Sequence, residues 1–552
     1  MYALVNWRGR MVSPARLIHE ISYYAGLMRG VYELLKQPPV RDPKQAYRSS
    51  HAAREDNFLG LVRNTVFGGP PNPYREMMHL AGCGYGDLET AVRQEGLEPT
   101  LKRLSGNGVY LTHDEFKGKV EIVRSGRHLV SDEGSFLNPL VRGHIESSSG
   151  GSRSLGTRTR QTTRQQVHWD IYWKLLEEEL GLPGRARVQL QPILPSSAGI
   201  TAALQYARYG TEISRWFSMP GAMRDYGHYR VATQAVIVLA RALGAHMPSV
   251  HYLPPDDFTP VARWVADLRA KGQPSLVTSY ASHAVRVTAA ARAMGLDIRG
   301  TLFLVGGEAL TKSKRSAIEA AGAEVYPFYW ITELGPIGYS CRQMLSGNCV
   351  HVFPDSVAVV DRRRRAPLSE TELDSLLFTS LLPFAPRLLI NVEMDDTGVI
   401  EPAGCDCQFS RLGMTTQIRD IASYGKLTGQ GVTLYGTDVV EILEKALPAK
   451  FGGAPGDYQL VESDSAQQTQ LVLRVSPRVG GISLDAVKRF FLGEIRRRYG
   501  GALAVTVWRH AEGVEAVAAE PLMTPAGKVL PLHLLGQGGE DPTGQIGKVG
   551  PD

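Results

Sequence analysis

Two stretches of the chain carry residues whose types and spacing suit a phosphorylated ligand. The first is Glu146-Ser147-Ser148-Ser149-Gly150-Gly151-Ser152-Arg153, which follows the apolar-flanked run Val141 to Ile145. Consecutive Ser and Gly residues let the backbone curl its N–H groups inward, and hydroxyls and the Arg153 guanidinium add donors, which is how a polypeptide cradles phosphates. The Gly-x4-Gly-Lys-Ser/Thr spacing of a Walker loop is missing, and a flexible linker is the competing reading. The second stretch begins with Val305-Gly306-Gly307-Glu308 after an apolar strand, with Thr311 placed to cap a helix from Lys312. It continues through Tyr326-Pro327-Phe328-Tyr329-Trp330-Ile331-Thr332-Glu333-Leu334-Gly335-Pro336. Glycines at a strand exit let a flat ring lie against the backbone, while Thr332 and Glu333 offer a hydroxyl and a carboxylate to phosphate and Mg²⁺. Each piece alone also fits an ordinary strand-to-helix turn.

Cys341, His351, Cys405 and Cys407 form a different constellation. Four soft or borderline ligands suffice for tetrahedral zinc with no open position, hence a structural metal. Cys349 is an alternative to His351, and reduced, half-buried thiols compete equally with the zinc reading. Five cysteines, an odd number without an export signal, argue against a disulfide framework. Other features are set aside. The run Arg362 to Arg365 reads as a solvated hairpin tip. Ser196-Ser197-Ala198-Gly199 lacks the spacing of a hydrolase elbow. Scattered histidines such as His228 and His283 read as hydrogen-bonded core or surface residues.

These residues need elements to position them. At 552 residues the chain exceeds what one core supports, so two or more domains are expected. With 43% hydrophobic and 21% charged residues, the composition argues against global disorder. A net charge of +6 spread over this length is too thin to imply nucleic acid. The greasiest stretch, Leu376 to Val392, is interrupted by Pro383, Pro386 and Arg387, which argues against a membrane span. The Met1 end lacks the apolar region and cleavage site of a leader, so a cytoplasmic location is expected. Residues 13–37 read as a helix opened by Ser13-Pro14 and stopped at Pro38 and Pro39. From 160 to 330, helical patterns alternate with short apolar runs, the signature of an α/β layer with a largely parallel sheet. Beyond 350 the pattern becomes strand and turn, with local antiparallel pairing. The fold class expected is therefore α/β, with a large multi-subdomain N-terminal domain and a small α/β C-terminal domain. Its divisions are 1–140 as a helical prologue, 141–423 as the core, 424–535 as a small unit and 536–552 as a disordered tail. In the small unit helices are expected at 436–446 and 484–499, between strands at 469–475 and 502–508.

The order of these motifs resembles the adenylate-forming superfamily of acyl-CoA synthetases, adenylation domains and luciferases, and within it the phenylacetate-CoA ligase-like branch. Asn72-Pro73-Tyr74-Arg75 and Tyr110-Leu111-Thr112-His113-Asp114-Glu115 are similar to the segments that precede the Ser/Gly loop in that branch. The resemblance covers most of residues 70–535. It implies ATP-dependent formation of an acyl-adenylate and acyl transfer, with CoA as the co-substrate and a carrier-protein thiol or an amine as alternative acceptors. A non-catalytic nucleotide binder is the alternative of another class, and a homodimer is compatible with the resemblance.

By residue, the resemblance implies that Ser147, Ser148, Ser149, Gly150, Gly151, Ser152 and Arg153 hold the β- and γ-phosphates. Gly307, Glu308 and Tyr329 frame the adenine, Thr332 meets the α-phosphate and Glu333 binds Mg²⁺. Asp396 is chosen for the ribose, with Asp395 as the alternative, because the family motif is degraded in Val392-Glu393-Met394-Asp395-Asp396-Thr397-Gly398. Thr524-Pro525-Ala526-Gly527-Lys528-Val529 resembles the terminal Gly-Lys motif. A carboxylate attacking the α-phosphate gathers negative oxygens, so a mobile Lys528 would favour the transition state. The bland alternative is an exposed turn lysine. Ser423-Tyr424-Gly425-Lys426-Leu427 stands at the family's hinge. The acid would lie near Tyr226, His228, Ser279, Tyr280 and Gly306, and Trp330, in place of a small glycine, implies a small or unusually oriented acid. Some members of the branch have a similar Cys and His set, so structural Zn²⁺ joins ATP and Mg²⁺ among the expected cofactors.

Overall fold

The computed structural model describes residues 14–141, 145–148, 158–219, 227–254, 257–344, 348–365, 372–423, 428–429, 432–433, 436–465, 468–499, 514–524 and 527–535. Among these residues twelve strands make one sheet, in two halves of different hand-off. From one edge the order is Val357–Arg365, Glu372–Ser380, Val392–Pro402, Thr416–Ser423, Val350–Val352, Gly335–Tyr339 and Glu324–Ile331, each antiparallel to the next. The remaining five, Leu302–Val305, Ser275–Ser279, Ala186–Leu190, Ile213–Ser218 and Val250–Tyr252, run parallel.

Three inner strands of the parallel half, Leu302–Val305, Ser275–Ser279 and Ala186–Leu190, are buried at every residue. Strands covered on both faces lose the apolar-polar alternation, which is why they read in sequence only as short apolar runs. Helices Thr259–Ala270, Ala281–Ala293 and Lys312–Glu319 share one core with this half. Helices Pro14–Lys36, Thr163–Glu179, Ala198–Arg208 and Gly227–Ala242 contribute to another. The antiparallel half packs against the helices between Arg54 and Phe116. Buried Asn391 ties them together, its amide donating to the Leu101 and Val109 carbonyls at 2.8 and 3.0 Å.

A separate four-stranded sheet has the order Val514–Ala518, Gln468–Val475, Tyr458–Ser465 and Leu532–Leu535, antiparallel at its centre and parallel at both edges. Val439, Ile442, Leu443, Val487, Phe491 and Ile495 from its helices close a core of its own with Leu460 and Leu473.

The α/β class, the parallel-then-antiparallel order, the first helix (Pro14–Lys36) and the helix Leu484–Tyr499 match expectation. The helix from Gly436 differs in detail: it is α-helical to Glu441, then takes a π-turn over Ile442–Ala446. The reading of the arginine run as a hairpin tip needs correction. Arg362 to Arg365 continue the strand, paired with Glu372 to Ser375. Arg362 and Arg364 reach buried Glu393 at 3.2 and 3.0 Å, and alternation along a strand sends both to the same face. The expected hinge at 424–427, the strand at 502–508 and the tail lie outside the described residues. Among the described residues no helix is long and apolar enough to cross a membrane.

Candidate functional site

The site begins where the parallel strands end. Ser279 and Val305 close adjacent strands, and the Gly306 amide donates to the Ser279 carbonyl at 3.3 Å, so the Gly306-Gly307 turn lies against Tyr280. A Cβ at Gly306 would stand 2.4 Å from the Phe328 ring, so any larger residue would force a shift here. At Gly307 a Cβ would meet Tyr280 Cε1 at 2.9 Å and Lys528 Cε at 3.3 Å. Lys528 has thus been carried from the C-terminal unit to the turn, with its ammonium 5.3 Å from the Tyr280 ring centroid. A cation near an aromatic face is held by the ring quadrupole.

A tight turn delivers that lysine. The Thr524 amide donates to the Lys528 carbonyl at 2.8 Å, the Gly527 amide to the Thr524 carbonyl at 2.7 Å, and the Lys528 amide to Thr524 Oγ1 at 3.0 Å. Gly527 takes a φ of +81°, a left-handed backbone that glycine adopts without steric cost. Its carbonyl accepts a 2.7 Å hydrogen bond from Nε2 of buried His283 on helix Ala281–Ala293. His283, set aside in the sequence as a hydrogen-bonded core residue, is one, and its partner is the lysine turn.

Glu308 turns its carboxylate to the first turn of the same helix, accepting from the Ser282 amide at 2.6 Å, and lies 3.7 Å from the Lys314 ammonium. Lys314 also pairs at 3.1 Å with Glu444 of the C-terminal unit. Burial alone would lower the Lys314 pKa, but Glu444 and Glu308 outweigh it and hold the ammonium charged.

Thr332 and Glu333 occupy the turn joining strands Glu324–Ile331 and Gly335–Tyr339. The Glu333 carboxylate is buried and pairs with the Lys117 ammonium at 2.5 Å. Lys117 carries no motif of its own. Its only sequence signal is its place at the end of the short helix His113–Phe116, which opens with a capping box in which Thr112 and Glu115 satisfy each other's amides. The Tyr329 hydroxyl donates to Asp396 at 2.5 Å, and burial together with that carboxylate pushes the phenol pKa well above its usual value. Asp395 takes a positive φ of 60° and faces His113 at 3.2 Å instead. The two aspartates thus point to different partners, with Asp396 on the side of Tyr329.

Of the residues expected around the acid, Ser279 is fully buried and its hydroxyl donates to the Tyr280 carbonyl at 3.0 Å. His228 is exposed on helix Gly227–Ala242, its ring beside Tyr229. Trp330 meets Trp169 edge to face, with centroids 4.6 Å apart, next to a register shift between Tyr329 and Trp330. Ser147 and Ser148 lie on strand Ile145–Ser148, paired with Arg158–Gln161. Ser149, Gly150, Gly151, Ser152, Arg153 and Tyr226 lie outside the described residues.

The cysteine constellation assembles on the antiparallel half. Ligand atoms of Cys341, His351, Cys405 and Cys407 all lie within 4.8 Å of one another. Cys405 Sγ is 3.8 Å from Cys341 Sγ and 3.7 Å from Cys407 Sγ, and His351 Nε2 is 3.3 and 3.2 Å from Cys405 and Cys407. A tetrahedral zinc with sulfur bonds of about 2.3 Å requires sulfur–sulfur edges of about 3.8 Å, so the donor set fits that ion. The His351 Nδ1 lies 2.8 Å from the Met414 carbonyl, which fixes the tautomer that leaves Nε2 as a donor atom to metal. The neighbouring Cys341 and His351 side chains hold the Cys407 thiol well below its ordinary value. Cys349, the alternative ligand, instead bonds Gln417 at 3.4 Å, and burial pushes its thiol up to about 12.

No protein-family model matches the chain, and no curated protein matches its sequence. Solved structures to which it is similar in fold include CoA ligases. A 2-hydroxyisobutyryl-CoA ligase in complex with 2-HIB-AMP and CoA is 13% identical, with 90% of this chain and 91% of that chain covered at a TM-score of 0.42. A benzoate CoA ligase from Burkholderia xenovorans LB400 is 11% identical, with 92% and 98% covered at 0.40. O-succinylbenzoate coenzyme A synthetase from Bacillus subtilis, in complex with ATP and magnesium ion, is 10% identical, with 78% and 80% covered at 0.41. A likeness at this level carries no argument about chemistry, which rests on this chain's own residues.

Proposed function

We propose that the chain joins a small carboxylic acid to ATP as an acyl-adenylate, releasing pyrophosphate, and then passes the acyl group to the CoA thiol, releasing AMP. The observation that carries this reading is the approach of Lys528 to the Gly306-Gly307 turn, 5.3 Å from the Tyr280 ring, from a unit with its own sheet and core. As the carboxylate attacks the α-phosphate, negative charge grows on oxygens that water would otherwise have to solvate. A lysine ammonium delivered there stabilises that charge more in the transition state than before it. Once the adenylate has formed, the same lysine has no further task, and withdrawal of its unit would open the adenylate to the CoA thiol.

In this reading Ser147 to Arg153 hold the β- and γ-phosphates, Gly307 and Tyr329 flank the adenine, and Asp396 takes the ribose. Thr332 meets the α-phosphate and Glu333 holds Mg²⁺, whose charge offsets that of the phosphates. A carboxylate offers about four lone-pair sites, so the Lys117 contact leaves Glu333 with capacity for a metal. Cys341, His351, Cys405 and Cys407 hold zinc, which supplies a structural crosslink.

A pyrophosphate-release assay over a panel of carboxylic acids, with and without CoA, on the wild type and Lys528→Ala, tests the proposal. Acid-dependent release that the substitution abolishes is the expected result. ATP binding without release for any acid would leave a non-catalytic nucleotide binder, and release without thioester formation would move the acceptor to a carrier-protein thiol or an amine.

A further inference from the structure

Three buried charged side chains meet where helix Lys312–Glu319 faces the π-turn Ile442–Ala446. Lys314, Glu308 and Glu444 are each at most 3% exposed. Burying an ion pair costs desolvation that its own attraction repays only in part, so a buried pair is weak evidence of added stability. Its best-attested use is to fix one arrangement among several. Here the arrangement at stake is that of the C-terminal unit. Glu444 belongs to that unit's π-turn, a local widening frequent at functional positions. Lys314 and Thr311 belong to the opposite side, at the start of helix Lys312–Glu319: the Lys314 ammonium is ion-paired with Glu444 at 3.1 Å, and Thr311 Oγ1 donates to that carboxylate at 2.5 Å.

The third member links this contact to the ligand turn. Glu308 directly follows Gly306-Gly307, and its carboxylate accepts from the amide of Ser282, the neighbour of His283 that bonds the Gly527 carbonyl. One connected set of polar contacts therefore runs from Glu444 through Lys314 and Glu308 to the turn bearing Lys528. The set is also built to open. When Glu444 leaves, Lys314 keeps Glu308 within 3.7 Å, so no isolated buried ammonium remains.

We propose that Lys314 is a positioning residue for the adenylation step: clamped between Glu308 and Glu444, it locks the C-terminal unit in the orientation that brings Lys528 to the Gly306-Gly307 turn. This rests on the two-step reading above. Breaking the clamp selectively slows acyl-adenylate formation and leaves transfer from the adenylate intact.

The test uses the full chain as wild type, Glu444→Gln and Glu444→Ala, with three readouts. Acid-dependent exchange of pyrophosphate into ATP measures adenylation, and reaction of preformed acyl-adenylate with CoA measures transfer. Hydrogen exchange of the backbone amides at 527–530, with and without ATP, reports the docked turn independently of any chemistry. Glu444→Ala is expected to lower adenylation about ten-fold, the loss of one buried coupling, with Glu444→Gln between it and the wild type. Transfer should change less than about two-fold, and amides at 527–530 should exchange faster in both variants. Exchange in strands Tyr458–Ser465 and Leu532–Leu535 shows whether the unit itself stays folded, and Glu444→Gln, which keeps the side-chain shape, covers the case in which Glu444→Ala does not. Equal losses in both half-reactions, or unchanged exchange at 527–530 in a folded variant, would overturn the proposal. Should no acid support adenylation by the wild type, the two-step reading fails, while the amide exchange still decides whether the Lys314–Glu444 clamp holds the turn.

Discussion

Two buried polar clusters in this molecule obey the same physics and serve opposite ends. Cys341, His351, Cys405 and Cys407 all come from one sheet and its connecting loops, whereas Lys314 and Glu308 meet Glu444 across the boundary with a second sheet. The first set has no partner that could leave without unfolding the sheet, so its contribution is permanent rigidity. The second includes one member that can depart with its own core intact, which makes it a choice between arrangements. Burial and charge alone do not distinguish a staple from a latch; the origin of the members does.

That contrast predicts that activity and stability separate on mutation. Lys528→Ala, at the end of the removable unit, should lower adenylation by roughly 10²- to 10³-fold, as removal of one transition-state donor does. Its melting temperature should stay within a degree or two of wild type in calorimetry. Cys407→Ser should do the reverse within the sheet, lowering stability by about 3 kcal/mol in denaturant titrations, and a chelator should mimic it on the wild type but not on the variant. Matching losses of activity and stability in both variants would erase the contrast. Tyr329→Phe sharpens it from a third position, because its bond to Asp396 lies wholly within the large sheet. It should raise the ATP concentration needed for half-maximal adenylation about ten-fold, through a loss of about 1.5 kcal/mol, without changing exchange at 527–530. The smallest effect is expected of Trp330→Gly, which should shift preference toward larger acids by a few-fold to about ten-fold, and an unchanged order of acids would remove Trp330 from the pocket.

Much of this architecture was legible because its signals are local. The parallel strands announce themselves as apolar runs between helical patterns, and Leu484–Tyr499 follows helical spacing throughout. Cys405 and Cys407 are near neighbours in the chain, so their meeting was readable. The arginine run misled because a charge-rich tract resembles a solvated tip, and only buried Glu393, two strands away in the same sheet, gives two of those charges a reason to continue it. Lys117, Lys314 and Glu444 were missed for a related reason. Each is an ordinary charged residue until a partner over a hundred positions away meets it, and spacing along one chain carries no record of such pairs.

The edge-to-face packing of Trp169 and Trp330 has an optical consequence. Two indoles with centroids 4.6 Å apart perturb each other's excited states, and one of them sits directly beside the Tyr329 bonded to Asp396. Displacement of Trp330 by an entering acid would therefore change the emission of the native chain, giving a label-free signal for the first encounter with substrate before any bond is made.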